Sequence, residues 1–177
     1  MNFTFTTLYD QKALTAMARA LRKTVRKKHS FRAHLFGWVA VVLGLLLLLL
    51  PLGKSDFEIS FKTIATLLAI LVLLFALIKE DAINGYFARK KLLPSLISST
   101  TVFSTDDVEY HSSTQVGDST FRYDNIVALA ETADYFVLIF GKSHAQVYDK
   151  SSITGGTNED FRKFIQCVTG QPLQQVS

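Results

Sequence analysis

One cysteine and three prolines stand in 177 residues, and both scarcities narrow the reading. Cys167 alone closes no internal disulfide, which fits a reducing compartment. The first proline is Pro51, so no helix breaker stands between Lys12 and Pro51. His29, His34, His111 and His144 are scattered, with no i, i+4 pair and no cysteine partner of zinc-site spacing, so no metal is expected. Gly155-Gly156-Thr157 lacks the glycine-lysine spacing of a phosphate loop, and Asn158-Glu159-Asp160 beside it would repel an anion; a helix cap is the expectation. No motif gathers an acid, a base and a pocket. Asp106, Asp107 and Asp149 read as turn formers, and Cys167 as a small buried hydrophobe. The chain is therefore not expected to be an enzyme or to hold a cofactor.

The most informative absence is of charge. No formally charged side chain stands between Arg32 and Lys54, and the stretch 59–78 carries only Lys62, in its first turn, from where its stem can reach the interface. Each apolar stretch, 35–53 and 59–78, is long enough as a helix to cross a hydrocarbon core of about 30 Å. The five residues 54–58 between them force a hairpin, because lipid offers irregular backbone no hydrogen-bond partner. A cleaved signal peptide fits poorly, since the first apolar run begins some 30 residues in and a second run follows.

Charge is unevenly spread. Residues 1–91 sum to about +9 and residues 92–177 to about −5. Arg19, Arg22, Lys23, Arg26, Lys27, Lys28 and Arg32 precede the first apolar stretch, and Arg89, Lys90 and Lys91 follow the second. By the positive-inside rule both termini are expected in the cytoplasm, with these ten residues at the membrane surface or against a partner. Their position at the bilayer explains them better than nucleic-acid binding does.

Residues 1–9 alternate apolar and polar, the period of a half-buried strand that needs a sheet to join, here that of the C-terminal region. Residues 10–34 switch to helical spacing, with Leu14, Met17, Ala18, Leu21 and Val25 on one stripe and basic residues around it. This basic amphipathic helix is expected to run unbroken into the first span. Pro51 and Gly53 end that span, and Ser55-Asp-Phe-Glu58 is a capping-box pattern opening the next. Residues 79–94 carry the helical stripe onward through Ile78, Ala82, Ile83, Tyr86 and Phe87 towards Pro94. Counting outward from a pairing of Leu35 with Ile78 puts Glu80 and Asp81 beside Arg32 and His29, and Tyr86 near Val25.

Residues 95–177 have the texture of a meander of short strands: 101–104, 108–111, 120–123, 127–131, 135–140 and 145–148, separated by aspartate- and glycine-bearing turns. Thr157, followed three residues on by Asp160, then opens a helix with Phe161, Phe164, Ile165 and Val168 on its apolar stripe. Gly170 and Pro172 stop it.

Phe121-Arg-Tyr-Asp-Asn-Ile126, Glu131-Thr-Ala-Asp-Tyr-Phe136, Lys150-Ser-Ser-Ile153 and Asp160-Phe-Arg-Lys-Phe164 resemble the YcxB-like family of bacterial membrane proteins. The positions carrying the likeness are Phe121, Tyr123, Ile126, Glu131, Asp134, Tyr135, Phe136, Lys150, Phe161 and Phe164. The resemblance implies a pleckstrin-homology-like tail closed by a C-terminal helix and an inner-membrane address, and it implies no activity. Tyr148-Asp149-Lys150 departs from the Ile-Pro-Lys usual in such tails.

The expected fold is thus a two-span α-helical hairpin with a cytoplasmic α+β domain. The expected role is a protein-binding or regulatory module on the inner membrane, with a protein partner or self-association. The rival reading is an immunity or transport-associated protein acting through its hairpin, for which Lys62 is the discriminating residue.

Overall fold

A computed structural model describes residues 2–49 and 61–176. The expected turn at 54–58, the capping box at Ser55 to Glu58 and the stops at Pro51 and Gly53 lie outside the described residues. The chain divides into two units: residues 1–27 with 81–177, and residues 28–80.

The first unit opens with strand β1 (Asn2–Leu8), which pairs antiparallel with β2 (Ser98–Ser104) over its whole length, Phe3 opposite Phe103 and Phe5 opposite Thr101. Strands β3 (Glu109–Thr114) and β4 (Gly117–Arg122) extend this to a four-stranded antiparallel sheet in the order β1-β2-β3-β4. A second sheet runs β7-β6-β5-β8, from β5 (Ala128–Glu131), β6 (Tyr135–Ile139), β7 (Ala145–Asp149) and β8 (Leu173–Gln175). Strand β8 is the parallel member, Ala130 facing Gln174. Sequence periodicity missed it, because three residues after Pro172 are too few to show alternation.

Helix α5 (Asn158–Thr169) closes the unit. Thr157 and Asp160 form a reciprocal capping box at its start, and Gly170 ends it in the left-handed region at φ 64°. The core gathers aromatic residues from both sheets and α5: Phe3, Phe5, Phe103, Tyr110, Phe136, Tyr148 and Phe161. Phe5 meets Phe161 with ring centroids 4.7 Å apart and Phe103 at 5.8 Å, both edge-to-face. The buried tyrosine hydroxyls have acceptors: Tyr110 and Tyr148 both donate to Gln146 Oε1, and Tyr123 donates to the Ser104 carbonyl. Burial pushes all three phenols above their usual range, so they stay neutral donors.

Strand β6 explains a local sequence signal. Tyr135-Phe-Val-Leu-Ile139 reads as an unbroken apolar run because both faces are covered. Phe136 and Leu138 enter the aromatic core, whereas Tyr135, Val137 and Ile139 face the other way, into a cluster with Ala13, Ala20 and Leu21. Those last three belong to helix α1 (Gln11–Lys23), N-capped by Asp10 through the Ala13 amide at 2.7 Å. The amphipathic helix therefore lies with its apolar stripe on the outer face of the second sheet. Gly155, at φ 86°, passes against the Asn2 carbonyl and leaves no room there for a Cβ.

The expectation of one unbroken helix from residue 10 into the span is corrected. Helix α1 ends at Lys23, and α2 (Lys27–Leu49) starts afresh. The Thr24 hydroxyl donates back to the Ala20 carbonyl at 2.6 Å, and the Arg26 amide reaches Leu21 instead of Arg22. Two consecutive β-branched residues, Thr24 and Val25, sit where the helical bond pattern slips.

The second unit holds α2 and α3 (Phe61–Ile78), both long and apolar enough to cross a membrane. They approach at small residues: a Cβ on Gly37 would meet Leu77 Cδ2 at 2.6 Å, and one on Gly44 would meet Ile70 at 3.0 Å. Helix α4 (Glu80–Lys91) begins two residues after Ile78, with a bend at Lys79. Its buried positions are Asp81 and Gly85; of the expected stripe, Ala82 and Ile83 are half-buried and Tyr86 and Phe87 exposed.

Candidate functional site

Two of the family-like residues, Glu131 and Lys150, meet at one buried carboxylate. Glu131, at the end of β5, is 2% exposed. Arg162, on the second turn of α5, donates to it twice, Nε to Oε2 at 3.0 Å and Nη2 to Oε1 at 2.8 Å. Gln175 of β8 donates to Oε2 at 2.7 Å, and the Lys150 ammonium stands against Oε1. Burial alone would raise the Glu131 pKa; the bonds from Arg162, Lys150 and Gln175 together outweigh it and hold the group at about 2. The cluster thereby ties β5, β8, α5 and the turn after β7 through one side chain.

Lys150 also organises the β5–β6 turn. Its Nζ donates to the Thr132 carbonyl at 2.6 Å and the Ala133 carbonyl at 3.3 Å, and lies 5.0 Å from the centre of the Phe136 ring. Its amide donates to the Asp134 carbonyl at 2.9 Å. Asp149, where the family pattern has proline, accepts from the Ser151 amide at 2.8 Å and starts the 3-10 turn Lys150–Ser152. Asp134 stays at the surface, 3.1 Å from Lys12, whose ammonium is 5.9 Å from the Tyr135 ring centre. Burial first, then nearby aspartates, raises the Tyr135 phenol to about 12. Phe121, Tyr123, Ile126, Phe161 and Phe164 serve the aromatic core and its margin.

The basic residues divide into paired and unpaired sets. Asp81 takes Arg22 bidentately, Nε to Oδ1 at 2.6 Å and Nη2 to Oδ2 at 2.7 Å, with Arg19 Nε 3.4 Å away. Arg26 donates to the Lys142 carbonyl. The Gln11 amide donates to the Ala82 carbonyl at 2.9 Å, and a Cβ on Gly85 would stand 2.8 Å from the Thr15 amide nitrogen. The contacts at Asp81, Ala82 and Gly85 lock α1 to α4 inside the first unit. Within the second unit, His34 Nε2 and Glu80 Oε2 are 2.6 Å apart. The expected partners of Glu80 and Asp81, Arg32 and His29, are thus replaced by His34 and by Arg22 with Arg19. The count outward from Leu35 and Ile78 takes α3 and α4 as one helix, and the bend at Lys79 interrupts it. Lys27, Lys28, Arg32, Arg89, Lys90 and Lys91 make no ion pair among the described residues.

Cys167 is exposed, which corrects its expected burial; it sits on the solvent side of α5, two residues beyond Ile165. His111 meets Thr120 Oγ1 at 3.0 Å, and His144 stacks edge-on against Phe140. Among the described residues no three of His, Cys, Asp and Glu gather as a metal site. Grooves of about 330 and 570 Å³ flank the β5–β6 turn, the larger lined by Gln11, Lys12, Arg19, Ala82, Tyr135 and Val176. Of their cations, Lys12 pairs with Asp134, and Arg19 shares Asp81 with Arg22.

Two helices apolar enough to cross a membrane, followed by a sheet-rich region with a C-terminal helix, define the class: a candidate membrane protein with one folded polar unit. Residues 106–165 match the family model for YcxB-like protein, the family whose motifs the sequence resembles. That stretch contains Glu131, Lys150 and Arg162, while Gln175 lies beyond it. No curated protein and no solved structure matches the chain.

Proposed function

We propose that this chain is an inner-membrane protein whose hairpin anchors a cytoplasmic, pleckstrin-homology-like domain that binds protein. The observation carrying the reading is topological. The chain leaves the first unit after Lys27 and returns to it at Asp81, and β1 pairs with β2 from opposite sides of that excursion. A membrane-crossing hairpin placed there leaves both of its roots on one side of the bilayer. The unpaired Lys27, Lys28, Arg32 and Arg89 to Lys91 favour the cytoplasmic side. Two four-stranded sheets closed by a helix support the pleckstrin-homology-like reading.

A binding role fits the chemistry better than catalysis. Both acids buried among the described residues, Glu131 and Asp81, are held by arginines and serve as ties. In residues 92–177 acids outnumber bases about two to one, which disfavours anionic headgroups for this region and favours a basic protein segment. Strand β4 ends its sheet with no further strand beside it among the described residues, an edge to which an extended peptide can add. Helix α1 occupies a sheet face through apolar contacts, so a partner would meet the edge with α1 in place.

In-cell photo-crosslinking of the full chain tests this reading. A photoreactive residue at Asp118 on β4 should give a discrete protein adduct, and one at Leu71 on α3 should give lipid adducts. Protein adducts at Leu71 with none at Asp118 would make the hairpin the working surface.

A further inference from the structure

Helix α4 carries a face that the fold leaves uncovered. Its inner side is committed at Asp81 to Arg22 and at Gly85 to Thr15, while Tyr86 and Phe87 are 56% and 54% exposed. Their rings touch each other edge-to-face at 5.8 Å. Leu93, just past the helix, is also exposed, and Lys90 and Lys91 stand among these apolar groups. No acid occurs between Asp81 and Asp106, and Arg89, Lys90 and Lys91 have no ion-pair partner among the described residues. Arg19 and Arg22 of α1 share the carboxylate of Asp81, whereas Arg89, Lys90 and Lys91, like Lys27, Lys28 and Arg32, pair with no acid among the described residues.

We infer that the outer face of α4, Tyr86 and Phe87 with Arg89, Lys90 and Lys91, is an interfacial contact for anionic lipid headgroups. The inference rests on the membrane-spanning reading of α2 and α3. Aromatic rings with cationic neighbours are the composition that settles at a bilayer interface, where the ring is half desolvated and each base meets anionic headgroups. Chain length permits the contact: eight positions separate Tyr86 from Ile78, about 12 Å at helical rise, which keeps Tyr86 near the end of α3. A basic protein partner is disfavoured by like charge, and a second copy would set the same bases against each other. The contact also assigns opposite duties to the two ends of the unit: α4 faces lipid, and the acidic sheets face the cytoplasm.

Trp38 is the sole tryptophan, which gives a clean optical test of the full chain. The protein is placed in nanodiscs of phosphatidylcholine, with or without phosphatidylglycerol. In wild type, Trp38 of α2 should be quenched by lipids brominated along their chains. In a Trp38→Phe background, Tyr86→Trp should be quenched by lipids brominated near the glycerol, and its acrylamide quenching should be several-fold weaker than that of Val116→Trp in the exposed β3–β4 turn. The protection should be greater with phosphatidylglycerol and should fall when Arg89→Gln, Lys90→Gln and Lys91→Gln are added. Acrylamide access at Tyr86→Trp equal to that at Val116→Trp in both lipids overturns the inference while a quenched Trp38 leaves the spanning reading intact. Protection that follows protein concentration and ignores lipid charge overturns it in favour of self-association. An unquenched Trp38 overturns both readings.

Discussion

Leucine, valine, isoleucine and phenylalanine meet opposite fates in the two units. In the first, β6 is buried at every position, and Phe3, Phe5, Phe103 and Phe161 are sealed between two sheets and a helix. In the second, Leu43, Leu47, Leu71, Val72 and Phe75 are exposed, and the buried residues of α2 and α3 are Ser30, Val41 and Ile70. One unit has a sealed core of its own, and the other carries its apolar side chains on the outside, the pattern that the membrane-spanning reading of α2 and α3 proposes to cover with lipid.

Substitutions should separate the two regimes. The largest expected effect is at the centre of the aromatic core: Phe5→Ala should cost the first unit about 4 kcal/mol in urea unfolding followed by near-ultraviolet circular dichroism. Leu47→Ala, on the exposed side of α2, should shift the same transition by less than about 1 kcal/mol, since it removes nothing from that core. Equal losses would erase the distinction.

Next comes the ionic tie. Glu131→Gln leaves Lys150 and Arg162 without their counter-charge and should cost roughly 3 kcal/mol at neutral pH. The pH dependence follows from its depressed pKa. Because the carboxylate form is favoured by folding, its contribution is complete above the unfolded value of about 4.5 and is lost as pH falls towards 2. The gap between wild type and Glu131→Gln should therefore close over that window, measured as unfolding midpoints against pH. A gap unchanged from pH 7 to pH 2 would count against the cluster geometry.

Smaller effects are expected where α1 meets α4. Asp81→Asn removes the charge from a bidentate arginine contact and should cost about 2 kcal/mol, read as faster amide exchange in α1 with the aromatic core still protected. Gly85→Ala forces a Cβ against Thr15 backbone and should cost about 1 to 2 kcal/mol. Gly44→Ala meets only the tip of Ile70 and should cost less than about 1. Smallest of all, Cys167→Ser should change stability by less than about 0.5 kcal/mol, and native Cys167 should react readily with a thiol reagent.

Period and punctuation carried much of this architecture into the sequence. The two-residue alternation of Asn2 to Leu8, the turn at Gly141 and the Thr157–Asp160 cap each stand where the structure has the corresponding element, because each is local chemistry, whereas Gly117 and Asp118, expected in a turn, open β4 just after it. What stayed illegible is non-local. The break at Thr24 depends on where α1 lies against the sheet, and the choice of Asp81 for Arg22 depends on that break. The Glu131 cluster joins residues 31 and 44 positions apart, which no spacing rule reaches; family likeness alone singled out Glu131 and Lys150. Arg162 and Gln175 were not singled out, since a lone arginine on a helix and a short polar tail carry no pattern. Cys167 was misread because it borders the apolar stripe of α5 without facing the core.

The central claim is that the hairpin interrupts one folded unit, so that β1 and the sheets beyond the second span share one side of the membrane. Cysteines introduced singly in a Cys167→Ser background, as Asn2→Cys and Asp118→Cys, should both resist an impermeant maleimide in intact cells and both react after permeabilisation, while Ser55→Cys should react in intact cells. Labelling of Asn2→Cys and Asp118→Cys from opposite sides would contradict the account.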